Sequence, residues 1–149
     1  MNFSAPDLTL HPPRSARAKL GGYVILPRLI DKGRAQVAGR NGEYHYSCPL
    51  DRRWFEFAGI DPLELKGEIE SDAGDAEILK WIIANATNHP SEIEIEAWSR
   101  YQEARVPGDT DSREFFNQLH TKAAAHRDDI LSWFDLLDLD DFVTFGGKP

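Results

Sequence analysis

The chain has very few sulfur-containing residues: among its 149 residues there is one cysteine, Cys48, and one methionine. A single cysteine cannot form a disulfide within the chain, and such cysteine usage is typical of a reducing compartment. His45 and Cys48 have the H-x-x-C spacing of a zinc half-site, but no second pair with zinc spacing follows. We therefore predict no metal and no cofactor.

Long hydrophobic runs are also missing. No stretch approaches the roughly 20 apolar residues of a membrane helix, and the first residues, MNFSAPDLTLHPPR, lack the features of a secretory signal. We expect a cytoplasmic protein with no membrane partner. The content of 41% hydrophobic and 28% charged residues is that of a globular protein. Because a chain of this length builds one core, we predict a single helical domain over residues 1–149.

Positive charge is scarce overall, with a net charge of −8, but it is unevenly distributed. Residues 1–53 contain nine basic and four acidic residues, whereas residues 54–149 contain eight basic and twenty-one acidic residues. Either an anion site in the front third or docking of the two parts on each other explains this division. The sequence pI of about 5.0 disfavours nucleic acid as a partner.

Prolines, glycines and capping residues divide the chain into about six or seven helices. Residues 1–19, with three prolines, are expected to form an extended arm packed on the body. The segment GGYVIL that follows allows at most one minor hairpin. Helices are predicted to begin near Pro27, Pro49, Pro62, Asp75, Ser91, Asp111 and Asp128. The predicted fold class is all-α, a compact helical bundle.

Hydrophobic periodicity predicts which helix faces are buried. Gly33 lies on the apolar stripe of the first helix, so a neighbouring helix should approach it closely. In the fifth helix, Ile93, Ala97, Tyr101 and Ala104 are expected to face inward. The acidic segment DLLDLDD, residues 135–141, lacks the glycine and the final glutamate of a calcium loop. We predict that it is a solvated helix end.

Basic and aromatic residues alternate in the front third, which favours a pocket that receives a small anion such as a phosphate or a carboxylate compound. In this interpretation arginines and lysine supply charge, tyrosines form walls, and the start of the second helix forms the floor. The predicted ligand-binding residues are Arg28, Lys32, Arg34, Tyr44, Tyr46 and Arg52. The leading hypothesis is therefore a binding or interaction module.

Two alternatives remain open. Cys48 directly precedes a predicted helix with Arg52 and Arg53 near its start, and both helix amides and positive charge favour a cysteine thiolate. A small enzyme could use Cys48 as nucleophile and His45 as base, although no third catalytic group is identifiable. The pH dependence of Cys48 alkylation tests this idea. A structural homodimer that buries aromatic faces is the other alternative, and light scattering tests it.

Three stretches resemble one known family: PPRSARAKLGGYVILPRLIDKGRA, NGEYHYSCPLD and DAEILKWI. The similarity spans roughly residues 6 to 83. The family is an uncharacterised bacterial one, catalogued only as a domain of unknown function. The resemblance implies a small, single-domain cytosolic bacterial protein. Because the family has no assigned activity, it implies no catalytic residue here.

Overall fold

The computed structural model describes residues 5–149. The first four residues of the predicted arm lie outside this range. The described residues contain seven helices and no strand, which confirms the predicted all-α class. None of these helices is long and apolar enough to cross a membrane. The helices are α1 (Leu26–Val37), α2 (Pro49–Ala58), α3 (Pro62–Glu70), α4 (Asp75–Asn85), α5 (Glu92–Ala104), α6 (Thr110–Ala124) and α7 (Trp133–Thr144).

Helix α1 runs through the centre of the molecule, and nine of its 12 residues are buried. Helix α3 packs against it at Gly33, where a Cβ atom would lie 2.7 Å from Cδ1 of Ile69. This distance is shorter than any ordinary carbon contact, so glycine permits the approach. The predicted close contact with a neighbouring helix is confirmed.

A tight turn precedes α1. Leu20 and Tyr23 exchange two backbone hydrogen bonds of 3.1 and 3.0 Å, and Gly21 and Gly22 between them have positive φ angles of 59° and 83°. Glycine adopts this backbone conformation without the steric penalty that other residues meet. This bridge is the only pairing of its kind outside the helices over residues 5–149, in agreement with the prediction of at most one hairpin.

Helix α5 buries a different face from the predicted one. The Ser99 hydroxyl donates to the Gly22 carbonyl at 2.7 Å and accepts from the Val24 amide at 3.2 Å. Ile93 and Tyr101, which are predicted to face inward, are 79% and 64% exposed, and Ala97 and Ala104 are exposed as well. The buried face therefore includes a serine because the turn before α1 presents backbone groups that need a polar partner.

The starts of α6 and α7 also differ from the predictions. Asp109, rather than Asp111, caps α6, and Ser132 caps α7 in a capping box with Asp135. Asp128, the predicted start of the last helix, lies in the preceding loop. Several aspartates and serines in this region can each cap a helix, and packing decides among them.

The carboxylates of α7 dock on the front of the chain. Asp138 accepts hydrogen bonds from Ser15 at 2.7 Å and from Arg17 at 3.2 Å. Asp141 is only 6% exposed and binds Arg28. The prediction of a solvated helix end is therefore wrong. Of the two explanations for the uneven charge, the structure supports docking: basic residues of the front third pair with carboxylates of α7.

Candidate functional site

A cavity of about 910 Å³ opens between α2, α6 and α7. Its volume lies in the range of small-molecule sites, roughly 300–1,000 Å³. The loop before α2 and the first turns of α2 form its polar wall. The opposite wall is apolar and comes from α6 and α7, with Phe115, Leu119, Ala123, Trp133, Leu136 and Leu137. We call this hollow the central cavity.

Arg28 and Lys32 of α1 line the central cavity, but each is already paired with a carboxylate. The Arg28 guanidinium lies 2.7 Å from the Asp141 carboxylate, and the Lys32 ammonium lies 2.8 Å from the Asp51 carboxylate. All four side chains are less than 10% exposed. These two cations are therefore neutralised in the folded protein, and they stabilise the wall rather than offer free charge to a ligand.

Tyr44 joins the loop before α2 to α7. Its hydroxyl donates to Asp141 at 2.8 Å, and the Arg28 guanidinium carbon lies 5.4 Å from the centre of its ring. Burial and the hydrogen bond to Asp141 raise the pKa of Tyr44 above its ordinary value. The tyrosine therefore stays protonated at neutral pH and keeps donating this hydrogen bond.

Cys48 and His45 both line the central cavity. The Lys32 ammonium donates to the Cys48 sulfur at 3.3 Å, and the Cys48 amide donates to Asp51 at 3.3 Å. His45 is exposed. The nucleophile and base roles of these two residues stay predictions. Among the residues that the structure describes, no three His, Cys, Asp or Glu side chains group as metal ligands.

Arg34 and Tyr46 lie outside the lining of the central cavity. The Arg34 guanidinium lies 2.9 Å from the Asp75 carboxylate and donates to the Ala73 carbonyl, in the loop before α4. The Tyr46 hydroxyl donates to the Pro62 carbonyl at 2.7 Å, and its ring packs near Gly33. Of the six predicted ligand-binding residues, the structure thus brings four to one cavity, namely Arg28, Lys32, Tyr44 and Arg52.

Two further arginines, Arg53 and Arg105, line the central cavity and are not among the predicted ligand-binding residues. Burial and the neighbouring Arg53 guanidinium lower the pKa of Arg105. Neither arginine forms a salt bridge within the described part of the chain. Both also line a smaller adjoining hollow of about 520 Å³.

Packing brings Arg105 to this place. It directly follows α5, and its carbonyl accepts a hydrogen bond of 3.0 Å from the Trp133 amide at the start of α7. Arg53 stands beside the predicted Arg52 and could have been included for that reason. Arg105 carries only a weak sequence signal, since its approach to α2 depends on how α5 and α7 pack.

Comparison with known proteins agrees with this picture of an uncharacterised family. No curated protein matches the chain. One family model matches residues 10–143, almost the whole chain, and its description is a domain of unknown function, DUF5069. This match confirms the resemblance noted from the front half of the sequence and extends it through α7. The chain belongs to the family of the domain of unknown function DUF5069.

Proposed function

We propose that this protein is a binding module that holds a small anionic ligand in the central cavity. The anionic group binds between Arg53 and Arg105, and the apolar wall of α6 and α7 contacts the rest of the ligand. One observation carries the proposal: two neighbouring guanidinium groups face a cavity of ligand size, and no carboxylate pairs with either in the described part of the chain.

The electrostatics of the two arginines favour an anion. Placing two positive groups side by side is unfavourable, and the lowered pKa of Arg105 reflects partial burial first and then this repulsion. An anion between the two groups relieves the repulsion. Guanidinium groups also offer paired donors that match the oxygens of a carboxylate or a phosphate.

The other charged groups of the cavity leave this cationic site intact. Arg28 and Lys32 contribute no free charge because they are paired. Glu56 follows Arg53 by one helical turn and is exposed, without an ion pair to it among the described residues. Attraction between exposed groups of this kind is weak and screened by salt. Arg52 adds a further exposed cation at the rim.

Calorimetric titration with inorganic phosphate and with octanoate tests the proposal. Arg53→Gln and Arg105→Gln should each weaken binding by about tenfold to about a hundredfold, since a hydrogen bond to a charged group contributes about 1.5–3 kcal/mol. Arg100→Gln is the matched control. Arg100 is exposed, its only ion pair among the described residues is with Glu96 within α5, and it lies outside the cavity lining.

Three results would contradict the proposal. Phosphate and octanoate could both leave the thermal midpoint of unfolding unchanged at millimolar concentration. Alternatively, Arg53→Gln and Arg105→Gln could retain full affinity, or Arg100→Gln could weaken binding as much as they do.

A further inference from the structure

The two ends of the central cavity differ in charge. At one end, the Trp133 amide donates to the Arg105 carbonyl at 3.0 Å, which holds Arg105 beside the first turn of α7. Arg53 lies at the same end, because Arg53, Arg105 and Trp133 also line the adjoining hollow together. The end of the cavity beside the first turn of α7 is therefore cationic.

The other end is acidic. The hydrogen bond of 2.8 Å from Tyr44 to Asp141 places the loop before α2 beside the later turns of α7. Glu43 from that loop and Asp140 from α7 both line the cavity. Nearby cations are Arg28, which Asp141 neutralises, and Lys122 on α6.

Asp140 differs from the other carboxylates of its helix. Asp135 and Asp138 pair with Arg17, and Asp141 pairs with Arg28. Asp140 forms no hydrogen bond or ion pair over residues 5–149. Partial burial and the neighbouring Asp141 raise the pKa of Asp140, as expected for a carboxylate that lacks a cationic partner.

An apolar wall separates the two charged ends. From Trp133 to Asp141 the helix axis advances about 12 Å, at roughly 1.5 Å per residue. Leu136 and Leu137 of α7 lie between the two ends, and Phe115 of α6 lines the cavity with its ring centre 6.5 Å from that of Trp133. Phe115 is 55% exposed, so much of its ring remains free to contact a ligand.

We propose that the ligand of the central cavity is an elongated zwitterion with an anionic group at one end, an ammonium group at the other and an apolar body between. The anionic group binds at Arg53 and Arg105, the apolar body lies along α6 and α7, and the ammonium group binds Asp140. This inference rests on the proposed anion-binding function and adds the class of ligand.

Three probes of similar length separate the two ends: ω-aminooctanoate has both charges, octanoate only the anion, and octylamine only the cation. We expect ω-aminooctanoate to bind about threefold more tightly than octanoate, the gain typical of an exposed ion pair, and octylamine to bind most weakly. In Asp140→Asn the preference for ω-aminooctanoate over octanoate should disappear, while octanoate should bind at least as well as before.

Two variants serve as controls. Asp111→Asn removes the same charge from an exposed residue of α6 that lies outside the cavity lining. It should keep the preference for ω-aminooctanoate over octanoate. Asp140→Glu retains a carboxylate at this position and should keep the preference as well. Thermal unfolding of each variant verifies that it is folded.

The outcomes distinguish the two proposals. If octanoate binds and ω-aminooctanoate binds no more tightly, the zwitterion inference is overturned and the anion site stands. If Asp140→Asn keeps the preference, Asp140 is not the ammonium site and the inference is overturned in the same way. If neither octanoate nor phosphate binds, both proposals fall.

Discussion

Two pairs of cations face the same cavity, yet their surroundings differ completely. Arg28 and Lys32 of α1 are buried and lie within 3 Å of Asp141 and Asp51. Arg53 and Arg105 have no carboxylate partner among the described residues, and burial and Arg53 lower the pKa of Arg105. The first pair stabilises the fold, whereas the second pair is available to a ligand.

This difference matters because a cation can be needed either for the stability of the fold or for ligand binding. Removing one partner of a buried ion pair leaves an uncompensated charge in a medium of low polarity, which costs about 3–5 kcal/mol. Removing an unpaired cation near the surface costs little stability, and it affects only what binds there. Stability and binding measurements together therefore separate the two pairs.

The largest effect is expected for Asp51→Asn. Asp51 is fully buried and pairs with Lys32 at 2.8 Å, so the variant leaves a buried ammonium group without its carboxylate. We expect the free energy of unfolding to fall by about 3–5 kcal/mol, measured by urea denaturation. The double variant Lys32→Met with Asp51→Asn should recover part of this loss, because it leaves no buried charge unpaired and keeps an oxygen that accepts from the Cys48 amide. A loss below about 1 kcal/mol in Asp51→Asn would contradict the assignment of this pair to the fold.

An intermediate effect is expected for Asp75→Asn, and it depends on pH. Burial opposes ionisation of Asp75, but Arg14 and Arg34 outweigh it and hold the pKa of Asp75 below its usual value. A carboxylate with a lowered folded-state pKa stabilises the protein above its unfolded pKa, and this contribution is lost as the pH falls through the folded value.

We therefore expect Asp75→Asn to be less stable than the parent by about 1 kcal/mol at neutral pH, since the carboxylate is partly exposed and screened. The difference should shrink in urea denaturation below about pH 4, where the parent also loses the charge. Asp128→Asn, at an exposed carboxylate in the loop before α7, is the control. A difference that stays constant with pH would exclude the ion pairs as its cause.

The smallest effect on stability is expected for Arg105→Gln. Because Arg105 lacks a carboxylate partner and is repelled by Arg53, the free energy of unfolding should change by less than about 0.5 kcal/mol. Thermal and urea denaturation measure this value on the same sample that is used for ligand titration. If the free energy of unfolding fell by more than about 2 kcal/mol, Arg105 would stabilise the fold, as Arg28 and Lys32 do.

Local rules predicted much of this fold from the sequence. Prolines at the first helical positions mark α2 and α3, because proline lacks an amide hydrogen that would be unpaired there. Ser91 with Glu94 forms the expected capping box of α5. Gly33 correctly indicated a close helix contact. Each of these signals depends only on residues a few positions apart.

Long-range partners explain what the sequence could not predict. The buried face of α5 includes Ser99, because a turn far back in the chain presents backbone groups to it. Arg28 and Arg105 are the same residue type, and only the placement of Asp141 makes one paired and the other not. The amino-acid composition gives the number of charged residues, but it does not determine which of them form ion pairs. The candidate site was therefore predicted in its general region: of its unpaired cations, Arg52 was predicted to bind the ligand, whereas Arg53 and Arg105 were not.

The pairing of Arg28 with Asp141 also sets an order of events in folding. The two residues are 113 positions apart, whereas Lys32 and Asp51 are only 19 apart. Closing a long loop costs more chain entropy than closing a short one, and contacts of large sequence separation form slowly. While the chain is being synthesised, Arg28 lacks its carboxylate until α7 has been made, so the polar wall of the cavity is completed only after its apolar helices exist.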